Sequence, residues 1–110
     1  MTHDPLRIDS HKLMYHVARV HEWLERGDTF PIYMEASPAG ACNHRCVFCS
    51  LDFMGYQPRY LDREVFLARI EELGRLGLKS LMFGGEGEPL LHKHIADFND
   101  RAGASGMDTA

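Results

Sequence analysis

Cys42, Cys46 and Cys49 are the chain's only cysteines, and they fall within one short run, Cys42-Asn43-His44-Arg45-Cys46-Val47-Phe48-Cys49. Gaps of three and then two residues let three thiolates converge on one point from a single loop. Three thiolates leave one position of a four-coordinate centre open. Structural metal sites close that position, whereas catalytic sites keep it for a reactant. An odd, clustered count also argues against a disulfide framework, which draws on an even number spread along the chain.

A second segment with chemical potential is Gly84-Gly85-Glu86-Gly87-Glu88-Pro89. Its glycines let the backbone approach a ligand with no Cβ in the way. Taken alone, an ordinary tight turn fits this segment equally well. Other reactive residue types read as ordinary structure. His11, His16 and His21 read as the solvated flank of a helix, and His44 as loop surface too close to its neighbours to join the cysteines. His92 and His94 read as a solvated helix start rather than a metal pair. Glu71 and Glu72 are a helix surface pair, and Met14, Met34, Met54 and Met82 fill core or loop.

Several elements must position the two loops. Leu13, Val17, Val20 and Leu24 are spaced as one face of a helix over residues 10–26, with Ser10 able to cap its start and Gly27 suited to its end. Residues 30–36 alternate as a short strand with Pro31 near its entry, and residues 37–41 break it. Residues 50–60 read as irregular. Asp62 should cap a helix running to Leu76, with Phe66, Ile70 and Leu73 as its buried stripe and Val65 and Leu76 flanking; Gly77 should end it. Residues 78–83 are apolar enough for a strand covered on both faces, and 95–104 make a second crossover helix. Strand-helix-strand-helix alternation predicts an α/β fold with a parallel sheet. Both special loops then lie at the carboxyl edge of adjacent strands, where such folds bind ligands.

Bulk properties exclude several classes. The formal charge of −4, from 16 acidic and 12 basic residues, gives no electrostatic case for nucleic acid or an anionic membrane. No apolar run reaches membrane-spanning length and no secretory leader pattern opens the chain, so a cytoplasmic protein without membrane partners is expected. Two strands are too few for an independently stable parallel sheet, and closed barrels take on the order of 200 residues. The sequence therefore reads as the N-terminal piece of a longer protein, or as a small domain completed by another chain, with residues 107–110 opening a third strand that is not completed.

Cys42-x-x-x-Cys46-x-x-Cys49 after a first strand, with a Gly-Glu-Pro loop after the next helix and strand, resembles the radical S-adenosylmethionine superfamily. The resemblance spans residues 30–105. It implies the first part of a partial (β/α)6 TIM-like barrel over residues 29–110, preceded by an N-terminal helical extension over 1–28. It further implies a [4Fe–4S] cluster held by Cys42, Cys46 and Cys49, whose remaining iron binds S-adenosyl-L-methionine. Reductive cleavage to a 5′-deoxyadenosyl radical and abstraction of a hydrogen atom from substrate would follow, with electrons from a reductant protein such as flavodoxin or ferredoxin. Phe48 would lie against the adenine; packing in the core is its alternative reading. Gly84, Gly85, Glu86, Gly87 and Glu88 would meet the methionine part. Two registers fit that loop, Gly84-Gly85-Glu86 or Gly85-x-Gly87-Glu88-Pro89. The second is preferred because Pro89-Leu90-Leu91 then falls in the family's usual place, and which glutamate meets the ammonium stays open. The alternative to an enzyme is a small structural zinc-binding module of a larger assembly. A ferredoxin-like carrier is disfavoured by having three cysteines rather than four. No catalytic acid or base can be named. Peptide or protein modification, sugar-type dehydrogenation and, against the acidic balance, nucleic-acid modification are all compatible substrates.

Overall fold

The computed structural model describes residues 11–55 and 58–110, apart from the side chains of residues 11, 12 and 52. The expected cap Ser10 lies outside the described residues. The chain divides into two compact units, residues 1–30 and 31–110.

In the first unit a 3-10 stretch, His11–His16, leads into helix α1, Val17–Arg26. The apolar spacing predicts one continuous helix, but the first six described residues wind more tightly. His16 occupies the N-cap position without a side-chain hydrogen bond, and i→i+3 bonds satisfy donors that a cap would otherwise take. Gly27 ends α1 as expected, at φ 76°, its N–H donating to Trp23 O at 2.8 Å. Glu22 accepts from Arg26 Nη1 at 3.0 Å and from Thr29 Oγ1 at 2.8 Å. Leu13, Val17 and Leu24 are exposed, and α1 buries no residue.

The second unit holds β1 (Tyr33–Ala36), α2 (Ser50–Phe53), α3 (Arg63–Leu76), β2 (Ser80–Phe83), a 3-10 turn (Pro89–Leu91), α4 (Ile95–Ala104) and β3 (Asp108–Thr109). The strands run parallel in the order β1-β2-β3, with Tyr33 opposite Ser80, Ala36 opposite Phe83, and Leu81 opposite Thr109. Strand β1 is shorter than its alternating pattern because Pro31 has no N–H for a ladder. Pairing starts at Ile32 O, which accepts from both Lys79 N and Ser80 N. The residues expected to open a third strand do so: Ala110 N donates to Leu81 O at 3.2 Å and Phe83 N to Ala110 O at 2.7 Å, beside the two-residue β3.

Asp62 caps α3 through Val65 N–H···Oδ1 at 3.0 Å, and Gly77, at φ 95°, ends it. The buried arc of α3 is Phe66, Leu67 and Ile70; Leu73 is only half-buried, and Val65 and Leu76 are exposed. This differs from the predicted stripe because α3 packs on α4. Phe66 meets Phe98 edge-on at 4.8 Å, and Gly74 lies so close to Ser105 that a Cβ there would sit 2.6 Å from its carbonyl oxygen. Leu78, Leu81, Ala102 and Met107 complete the core. Strand β2 is not covered on both faces. Tyr33, Glu35 and Met82 are exposed on one side of the sheet, while Leu81 is fully buried on the other. The described residues form a parallel three-stranded α/β sheet and not a closed barrel. Among them, no helix is long and apolar enough to cross a membrane.

Candidate functional site

Strand β1 delivers the chain into a short anchored segment before the cysteines. Gly40 N donates to Arg59 O at 2.6 Å and Leu61 N to Pro38 O at 2.9 Å, with an antiparallel bridge between Ala39 and Tyr60. Pro38 and Ala39 are buried. Beyond this anchor the chain loops into solvent: Val47 and Phe48 are fully exposed or nearly so, Cys46 is exposed, and Cys42 and Cys49 are half-buried. Phe48 is therefore not a core residue. Cys49 N–H closes a turn on Cys46 O at 2.9 Å, and Cys42 Sγ accepts from His44 N at 3.4 Å. Arg45 folds its guanidinium onto His44 O at 2.9 Å. Helix α2 begins immediately after the third cysteine, in a region that the sequence reads as irregular.

The glycine loop leaves β2 with Gly84 N bonded to Ala36 O at 2.9 Å. Gly85 takes φ 95°, and a Cβ there would meet Ser37 Cβ at 2.7 Å. Only glycine accepts both that dihedral and that contact. Glu86 N–H then donates to Ser37 Oγ at 3.2 Å. Gly87 is pressed against the start of the cysteine loop: a Cβ on it would lie 2.0 Å from Ala39 O and 2.6 Å from Ala41 O. Glu88 N–H donates to Ala41 O at 2.8 Å, one residue before the first cysteine. Its carboxylate caps the 3-10 turn by accepting from Leu90 N at 3.0 Å, and its other oxygen lies 3.8 Å from His44 Nδ1. Glu86 is exposed, and Glu88 keeps about a fifth of its side chain accessible.

The two loops thus face each other across a cleft of about 350 Å³, lined by Cys42, His44, Cys46, Phe48, Cys49, Ser50, Leu51 and Gly85–Glu88. Of the residues that the sequence singles out, all three cysteines, Phe48 and four of the five loop residues line this one cleft; Gly84 anchors the loop at the strand end. The sulfurs are not gathered around a single point, and among the described residues no three His, Cys, Asp or Glu side chains stand close enough to bind one metal ion. Three thiols and a carboxylate-bearing glycine loop on one cleft nonetheless match the donor chemistry of a thiolate-held cluster with a ligand beside it.

A larger cleft of about 520 Å³ lies between the segments Tyr60–Arg63 and Leu91–His94. It holds the residue that sequence reasoning misplaces. His92 is 3% exposed, not a solvated helix start. Its Nε2 lies 2.9 Å from Leu61 O, and its Nδ1 accepts from His94 N at 3.2 Å. Nothing local marks it, since its main partner is a carbonyl 31 residues earlier in the chain. His94 Nδ1 lies 3.2 Å from Asp97 Oδ2, which also accepts from Arg63 Nε at 2.7 Å. The Arg63 hydrogen bond and charge hold the Asp97 carboxyl below the usual carboxylate range. On the open sheet face the Tyr33 hydroxyl donates to Glu35 at 2.6 Å, and that carboxylate raises the phenol's pKa. Glu71 and Glu72 pair with Arg101 and Arg69 on the surface.

A family model described as the radical SAM superfamily matches residues 36–107, from the last residue of β1 through both loops to the residue preceding β3. Comparison with curated proteins gives no match, and comparison with solved structures gives none either.

Proposed function

Because the chain belongs to the radical SAM superfamily, a family of enzymes, we propose that Cys42, Cys46 and Cys49 hold a [4Fe–4S] cluster beside S-adenosyl-L-methionine seated on the glycine loop. The observation that carries this reading is the shared cleft, with the two loops stitched together by Glu88 N–H···O=C of Ala41 directly ahead of the first cysteine. When bound, the cluster would supply an electron that cleaves S-adenosylmethionine to methionine and a 5′-deoxyadenosyl radical able to abstract a hydrogen atom from substrate.

The chain's own residues bind and orient. Glycine at 87 lets the loop seat directly on the Ala39 and Ala41 carbonyls. The left-handed turn at Gly85 lies between the loop's anchors to Ala36 and Ser37 and sets its course along the cleft. Glu86 or Glu88 supplies the carboxylate for a methionine ammonium, and Phe48, exposed at the cleft, supplies an aromatic face for adenine. The exposed cysteine loop is open to a reductant protein such as flavodoxin or ferredoxin. The proposed substrate is a peptide or protein.

Anaerobic reconstitution with iron and sulfide tests the reading. The expected product is a brown protein whose visible absorption bleaches with dithionite and which releases methionine and 5′-deoxyadenosine from S-adenosylmethionine. Cys46→Ala should lose the chromophore. A colourless protein holding one equivalent of zinc, or an intact cluster in Cys46→Ala, would refute the three-cysteine assignment.

A further inference from the structure

Among the described residues, His92 is the one polar or charged residue that is buried, and it lies outside the cleft assigned to cofactor. His94 N–H donates to its Nδ1, so that nitrogen carries no proton. Nε2 must then hold the ring proton and donate it to Leu61 O. Neighbours on both sides fix the tautomer.

We infer that His92 is a positioning residue that locks the glycine loop onto the cysteine loop. The backbone hydrogen bonds around it form a nearly closed circuit. Leu61 N reaches Pro38 O at one end of the short anchor ahead of the cysteines, and Ala41 O, at the other end, receives Glu88 N. Pro89 O, next along the glycine loop, receives His92 N. The His92 ring closes the circuit back to Leu61, and it is the one side-chain link in it. The ring also packs on Phe98 of α4, with centroids 4.7 Å apart, which ties the circuit to the core. Without the Nε2 donor, Leu61 O loses this partner and the glycine loop is held to the cysteine loop at fewer points. The inference rests on the proposed function only for what the two loops hold.

The test compares wild type, His92→Phe and His92→Gln. Phenylalanine keeps a ring against Phe98 but removes the donor, whereas the glutamine amide can donate to Leu61 O. Long-range 1H–15N correlation in wild type should report the Nε2–H tautomer. In His92→Phe, amide exchange at Glu88 and Leu61 should speed up about tenfold or more, while Phe66 and Ile70 in α3 stay protected, and His92→Gln should recover part of the loss. After reconstitution, His92→Phe should keep its iron content but bind S-adenosylmethionine about tenfold more weakly. An Nδ1–H tautomer, unchanged exchange at Glu88, or an equal loss of protection across α3 would overturn the positioning role. Should wild type take up neither cluster nor S-adenosylmethionine, the proposed function fails, while the exchange measurement still decides the role of His92.

Discussion

Replacing Gly87 by alanine is the most direct probe of how the cleft is built. The added Cβ would sit 2.0 Å from Ala39 O and 2.6 Å from Ala41 O, and both obstacles are backbone, with no rotamer to swing away. Gly87 does not occupy a left-handed dihedral, so contact alone sets the cost. Bringing the Ala39 carbonyl to even a tight contact requires a withdrawal of about 1 Å or more. Ala41 O accepts Glu88 N at 2.8 Å, and that bond breaks when the loops part. Overpacking of this kind costs about 1–3 kcal/mol and a lost hydrogen bond about 0.5–1.5 kcal/mol, so a destabilisation of about 2–4 kcal/mol is expected. Gly103→Ala is the control: it lies in α4 with nothing within 4 Å of its would-be Cβ, and alanine there should stabilise by about 0.5–1 kcal/mol. Urea denaturation followed by far-ultraviolet circular dichroism reads both variants against wild type. A Gly87→Ala protein within about 0.5 kcal/mol of wild type would refute the close seating of one loop on the other.

Asp62→Ala removes the acceptor for Val65 N and should cost about 1 kcal/mol, while Asp62→Ser should restore most of it; equal midpoints for all three proteins would remove the cap from the account. Acidification probes Asp97, whose carboxyl is held low chiefly by the Arg63 hydrogen bond, with His94 contributing. A folded-state value below the unfolded one gives stabilisation that is fully present above the ordinary aspartate range, about pH 4, and is lost as pH falls through the depressed value. The stability gap between wild type and Asp97→Asn should therefore shrink as pH drops below about 4; a gap that holds or widens would refute the pairing.

Element existence was largely legible because it depends on local chemistry. Helix α3 runs from its Asp62 cap to its Gly77 stop, and α4 occupies the predicted 95–104. Where the reading failed, the deciding interaction was remote. Leu67 rather than Leu73 completes the α3 core because α4 approaches from the side of Phe98 and Ser105. The face of β2 bearing Met82 is open, although its composition suits burial on both sides.

The same distinction runs through the site. Cys42, Cys46, Cys49 and the glycines carry a spacing that is visible in one dimension, and the fold brings them to one cleft. What holds that cleft in shape is almost wholly backbone: Glu88 on Ala41, Gly84 on Ala36, Leu61 on Pro38. Such bonds are indifferent to side-chain identity except where a side chain must be missing, as at Gly85 and Gly87, or must reach across, as at Ser37 and His92. The two glycines stand in a legible motif, but the contacts that exclude a Cβ from them do not show in the sequence. His92 depends on a carbonyl placed by a separate segment, and it looks like any surface histidine. A motif therefore identifies the groups that come to share a cleft, while the contacts that fix their spacing become visible only once both βα units have folded against each other.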